Sequence, residues 1–118
     1  VLDPFWGTGT TTLAAMAAAR NSVGYELEAE LREGFEAQVD DVPALSRTVQ
    51  ADRISAHRSF VEDRREAGEE LGYDAEPLGL PVVTRQETEL TLYAAASVSR
   101  ENGRYVVTHE PVDPASVE

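Results

Sequence analysis

The chain has no cysteine and no lysine, and each absence removes a class of function. Without cysteine there is no disulfide framework and no thiolate metal site. Without lysine there is no phosphate-binding loop of the kind that needs a lysine after its last glycine. No run approaches the ~18 consecutive apolar residues of a membrane-spanning helix, so a soluble, cytoplasmic protein with no membrane partner is expected. The two histidines, His57 and His109, are far apart and lack a ligand pattern. Both are expected at the surface or partly buried, with no metal bound.

Positive charge is the other scarcity. Asp and Glu number 22 against 10 basic residues, every one an arginine, for a net charge of −12. An acidic, lysine-free surface resembles that of proteins from extreme halophiles, where carboxylates keep the chain hydrated in concentrated salt. At low salt such a chain is repelled by phosphates, but in molar salt the screening length is only about 3 Å. The charge therefore does not exclude DNA as a partner, although it argues that this chain is not the main DNA cradle. With 118 residues and 42% apolar content, one modest core is affordable.

The informative stretch is Val1 to Glu26, VLDPFWGTGTTTLAAMAAARNSVGYE. An apolar strand runs into Asp3-Pro4-Phe5, then Gly7-Thr8-Gly9 break the chain before a helix from Thr10 to Ala19. A second strand, Ser22 to Leu27, follows and carries Glu26. Glycines in such a turn let the backbone approach a ligand, and the helix behind it points unpaired N–H groups at the turn. A carboxylate closing the second strand is how nucleotide-binding α/β units hold a ribose, about 20 residues beyond the glycine turn. A dinucleotide fingerprint wants a third glycine where Thr12 stands, and an ordinary strand-turn-helix with no ligand is the plainest competing reading.

Asp-Pro-Phe-x-Gly-x-Gly-Thr followed by Gly24-Tyr25-Glu26 resembles the S-adenosylmethionine-binding motifs of the DNA amino-methyltransferases, which methylate N4 of cytosine or N6 of adenine. The resemblance covers roughly the first 40 residues. It implies that Asp3, Phe5, Gly7, Thr8, Gly9 and Thr10 surround the methionine end of S-adenosylmethionine, and that Glu26 takes the ribose hydroxyls. It also implies an α/β fold: a partial Rossmann-like methyltransferase unit, strand-helix-strand-helix, followed by a long helix and a small α+β tail. Trp6 departs from the family, which usually carries a small residue there. It either packs under the cofactor or covers the core.

Downstream, Glu28 to Val39 reads as a helix with Leu31, Phe35 and Val39 on one face, stopped at Asp40-Asp41-Val42-Pro43. From Ala44 a long helix is expected to about Leu71, burying Leu45, Val49, Ala56, Phe60, Ala67 and Leu71. Within it, Arg47, Val49, Asp52, Arg53 and Ala56 recur eleven residues later as Arg58, Phe60, Asp63, Arg64 and Ala67, and residues 47 to 65 hold five of the ten arginines. That segment reads either as a nucleic-acid contact or, preferred, as a solvated face of charge pairs. Thr84 and Glu87 make a capping-box signature, so Arg85 to about Ala95 is expected as a short helix. Arg104 to Thr108 reads as a strand. Alternatively, Tyr93 to Ser99 is also strand, with Asn102-Gly103 as a hairpin turn. The tail from Pro111 is expected to fray. The domains expected are thus a cofactor-binding half at 1–41, a long helix at 42–72 and a C-terminal extension at 73–118.

The family holds its target amino group in an Asp/Asn/Ser-Pro-Pro-aromatic motif, and no two prolines are adjacent in this chain. No catalytic residue is therefore assigned to it. In one permutation of the family the catalytic motif precedes the cofactor motif, so a chain opening inside the first strand is expected to be a C-terminal piece. Such a piece supplies the cofactor site of a DNA methyltransferase whose missing N-terminal half and DNA are its partners. The alternatives are part of an RNA methyltransferase, or a non-catalytic cofactor-binding remnant.

Overall fold

A computed structural model describes residues 1–118, which form two compact units. The first comprises Val1–Val49 and Tyr93–Glu110, the second Gln50–Leu92 and Pro111–Glu118. Compactness thus divides the chain differently from the expected breaks at 41 and 72.

In the first unit, β1 (Leu2–Asp3), α1 (Thr10–Ala17) and β2 (Val23–Gly24) form the expected strand-helix-strand. The strands are parallel, with Leu2 opposite Val23 and Asp3 opposite Gly24. β2 is shorter than the reading of Ser22 to Leu27. The helix expected from Glu28 to Val39 is broken into a 3₁₀ turn (Ala29–Leu31), a short α2 (Arg32–Glu36) and a second 3₁₀ turn (Val39–Asp41). Gly34 lies inside α2 and not at either interruption, and Phe35 and Val39 are buried as their spacing implies. The core gathers Leu13, Met16, Phe35, Val39, Val42 and Ala95, flanked by Trp6, Val98, Tyr105 and Val107.

The long helix, α3, runs Val42–Glu66. It stops before Leu71 because Gly68 is left-handed (φ 77°), and the Glu69 N–H returns to the Arg64 carbonyl at 2.9 Å to satisfy the helix end. Its buried residues differ from those expected. Val42, Ser46, Gln50, Ile54 and Val61 are buried, while Leu45 is 46% and Val49 36% exposed. Two polar members hide this stripe from a search for apolar periodicity. Ser46 is buried because its hydroxyl donates to the Ala17 carbonyl at 2.8 Å and accepts the Ala95 N–H at 2.8 Å. Three arginines of α3 have local partners: Arg65 pairs with Glu62 at 3.0 Å and Arg53 bonds Gln50 at 3.2 Å. Arg64 pairs with Glu69.

The capping box forms, with the Thr84 N–H and hydroxyl both 2.8 Å from Glu87 Oε2, but it caps only a 3₁₀ turn (Arg85–Glu87). The helix to Ala95 is absent. The hairpin reading holds instead: β5 (Tyr93–Glu101) pairs with β6 (Arg104–Pro111). Asn102 and Gly103 have φ of 48° and 76°, the type I′ geometry that matches strand twist.

The second unit packs Ile54, Ala75, Leu78, Val82 and Leu92 with Leu80, Val112 and Val117, around antiparallel β3 (Tyr73–Ala75) and β4 (Leu80–Val82). Its tail does not fray. Arg58 donates to the carbonyls of Val117 at 2.6 Å and Pro114 at 2.7 Å, and the Val112 N–H bonds the Leu92 carbonyl at 2.8 Å. No helix is long and apolar enough to cross a membrane.

Candidate functional site

The turn between β1 and α1 is built by short-range hydrogen bonds. Asp3 Oδ1 accepts the Phe5 N–H at 3.1 Å, which bends the chain at Pro4. The Trp6 N–H reaches the Tyr25 carbonyl at 2.9 Å, extending the parallel ladder one step beyond the strands. The Trp6 carbonyl accepts the Gly9 N–H at 2.9 Å and closes the turn. Both glycines are left-handed, Gly7 at φ 58° and Gly9 at φ 81°. At Gly9 space forbids a side chain as well, since a Cβ there would stand 2.5 Å from the Phe35 ring and 2.6 Å from the Trp6 ring. Gly7, by contrast, faces open space.

Glu26 is tied to this turn. Its Oε2 accepts the Gly7 N–H at 2.8 Å, and its Oε1 accepts the N–H groups of Leu27 at 3.0 Å and Glu28 at 3.2 Å. The Glu28 N–H first, then that of Gly7, holds the carboxyl below the ordinary glutamate range, against desolvation and the nearby Asp3 charge. A carboxylate has about four acceptor positions, so three N–H donors leave one, on Oε2, for a hydroxyl donor.

Among the residues read from the sequence, the fold therefore joins Gly7 directly to Glu26. Asp3 braces the same turn, and Gly9 packs its underside. Thr10 opens α1 and is exposed, and Phe5 is 88% exposed. Thr8 turns the other way and packs at Gly34.

Beside the turn lies a cavity of about 650 Å³ lined by Trp6, Glu26, Arg32, Arg104, Tyr105 and His109, among others. Of the residues read as cofactor-binding, it contains Glu26 alone. The β6 contributors escaped sequence reading. Tyr105, Val107 and His109 alternate with more exposed neighbours, which marks a half-buried strand but does not say what it packs on. Here β6 reaches α1 and α2: the His109 Nε2–H donates to the Met16 carbonyl at 2.7 Å, and the Tyr105 hydroxyl bonds Glu36. His109 is thus a partly buried tether, as is His57, whose Nε2–H donates to the Pro81 carbonyl at 2.7 Å.

Comparison with known proteins finds methyltransferases. Residues 1–37, from the turn through α2, match a family described as DNA methylase. Over 115 residues, 97% of its length, the chain is 34% identical to the Type II methyltransferase M.MthZI of Methanothermobacter thermautotrophicus, of which it covers 31%. Over 39 residues it is 51% identical to the Type II methyltransferase M.MjaI of Methanocaldococcus jannaschii, covering 33% of this chain and 13% of that protein. The chain therefore spans about a third or less of the length of these relatives. No solved structure matches it significantly.

Proposed function

We propose, for a chain that belongs to the DNA amino-methyltransferase family, that it supplies the S-adenosylmethionine site of a DNA methyltransferase acting on N4 of cytosine or N6 of adenine. The observation that carries this reading is the 2.8 Å bond between the Gly7 N–H and Glu26. It brings together the two halves of a nucleoside site, a glycine turn open to solvent and a carboxylate at the end of the adjacent strand. The residues present suit the ligand. Gly7 leaves room for close approach, Phe5 offers an exposed apolar face and Glu26 keeps an acceptor position for a ribose hydroxyl. In this reading Asp3, Thr8, Gly9 and Thr10 complete the wall of the turn. When bound, the cofactor supplies the methyl group; these residues bind and orient it.

The target clamp and the DNA contacts belong to the rest of the enzyme, whose strands complete a Rossmann-like sheet on β1 and β2. The exposed apolar side chains of Leu2, Phe5, Val23, Tyr25 and Leu27 support a partner on that sheet, because parallel strands are ordinarily covered on both faces. We read the acidic, lysine-free composition as that of a protein working in concentrated salt inside a cell.

Calorimetry with S-adenosylmethionine in high salt tests the site. Glu26→Ala should weaken binding by about 1–3 kcal/mol through lost hydrogen bonds. Equal binding by the folded variant would remove Glu26 from it. Methyl transfer requires donor and target nitrogen in line, and such positioning is worth about 7–11 kcal/mol. The chain alone should therefore transfer no labelled methyl to DNA, and transfer should appear only with a segment carrying a Pro-Pro-aromatic motif. Activity from the chain alone would overturn its reading as a part of the enzyme.

A further inference from the structure

Trp6 is the only tryptophan in the chain and sits immediately before Gly7. Its ring touches four separate pieces of the first unit. On the turn itself, Cζ2 lies 2.6 Å from where a Gly9 Cβ would be. On α1, the indole N–H donates to Thr12 Oγ1 at 2.8 Å. On α2, it meets Phe35 edge to face with centroids 5.0 Å apart. On β2, it lies so close to Gly24 that any Cβ there would overlap the indole. Both backbone groups of Trp6 are also committed, the N–H to Tyr25 and the carbonyl to Gly9, each at 2.9 Å. Gly7 has no such packing: it is left-handed, and a Cβ there would meet nothing within 4 Å. The turn is therefore held through the residue before Gly7, and Glu26 lies two residues beyond the glycine against which that residue rests.

The structure assigns Trp6 the role of positioning residue: its ring sets the spacing between the glycine turn and the second strand, and so holds the Gly7 N–H on the Glu26 carboxylate. The importance of that spacing for cofactor binding rests on the function proposed above, whereas the spacing itself does not. Trp6 acts through Gly7 and Glu26. A ring that merely filled the core would affect global stability and leave the Gly7–Glu26 bond unchanged.

The test follows the Gly7 amide resonance through a pH titration in high salt, where its midpoint reports ionisation of the carboxylate it bonds. In the wild-type chain that midpoint should lie below the ordinary glutamate value. Asp3 also faces Glu26 and works against this. Trp6→Ala should raise the midpoint toward the ordinary value, and Trp6→Phe, which keeps a ring over Gly24, should recover most of the difference. Gly24→Ala displaces the ring without removing it and should reproduce the alanine effect, so it decides the matter if Trp6→Ala fails to fold. An unchanged midpoint in folded Trp6→Ala or Gly24→Ala overturns the assignment. In parallel, calorimetry with S-adenosylhomocysteine should show Trp6→Ala binding roughly tenfold more weakly, about the worth of one hydrogen bond to a charged group. If the wild-type chain binds no S-adenosylhomocysteine, the cofactor reading fails, while the Gly7 titration still decides the role of Trp6.

Discussion

The two units solve the same problem differently. The second closes an antiparallel ribbon over Ile54, Leu78 and Val82, binds its own tail through Arg58, and leaves Tyr73, Val83 and Leu90 as its exposed large apolar residues. The first pairs two short parallel strands and leaves Val1, Leu2, Phe5, Val23, Tyr25 and Leu27 exposed around the glycine turn. Antiparallel strands tolerate water on one face; parallel strands seldom do. A unit that can face solvent unaided is thus joined to one whose sheet has the character of an interface, and the proposed site lies in the latter.

Salt should give the largest effect, and it should separate the units. Residues 50–92 and 111–118 carry 12 carboxylates against 5 arginines, the remainder 10 against 5, although the second unit is the smaller. Carboxylate repulsion should leave the chain poorly folded in dilute buffer and compact in molar potassium chloride, with the second unit gaining more. Circular dichroism and amide resonances across a salt series measure this. A fully cooperative fold at low salt would remove the halophile reading.

Paired substitutions sharpen the contrast. Arg58→Ala should cost about 1.5–3 kcal/mol through the carbonyls of Pro114 and Val117. Ser46→Ala should cost about 1–3 kcal/mol by orphaning the buried Ala95 N–H. Hydrogen exchange should localise the first loss to the second unit and the other to the first. Equal loosening of both units by either variant would break the distinction.

The smallest effect is expected at low pH, and each unit has its own reporter. Glu26 is held below the ordinary value by the N–H groups of Glu28 and Gly7, and Glu87 by the Thr84 N–H and hydroxyl. A carboxyl depressed in the folded state stabilises above its unfolded value and loses that contribution as pH falls through its folded value. Stability should therefore decline below the ordinary glutamate value of 4.5. Glu26→Gln should flatten the acid limb of the first unit only, and Glu87→Gln that of the second, by amide exchange across an acid series.

What could be read in advance was what local sterics decide. Gly9 is demanded both by its left-handed φ and by the Trp6 and Phe35 rings, so the turn was legible. Thr84 and Glu87 were legible as a capping box, but a cap says where a helix begins and nothing about its length. Tyr93 to Ala95 went to strand because Ala94 and Ala95 are buried, with Ala95 in the first core and bonded to Ser46. The buried stripe of α3 was illegible for the converse reason: Ser46 and Gln50 are polar, and only a distant partner explains the burial of Ser46. Glu26 was singled out by its place after the second strand, and the structure brings it onto the Gly7 N–H. That Tyr105 and His109 line a cavity beside it was not, since more than 70 residues separate them from the turn.

That separation has a consequence for the order in which the molecule can be made. The turn and Glu26 are complete by residue 26, but Ala95, Val98, Tyr105 and Val107, which close the core beneath them, are translated about 70 to 80 residues later. Closing so long a loop is entropically slow compared with local helix formation. A nascent chain halted at Leu92 would carry every motif residue and none of the hairpin that packs with α1 and α2. Ligand-competent geometry should therefore arise late, after release of the hairpin from the ribosome, and deletion of residues 93–110 should abolish it even though no motif is lost.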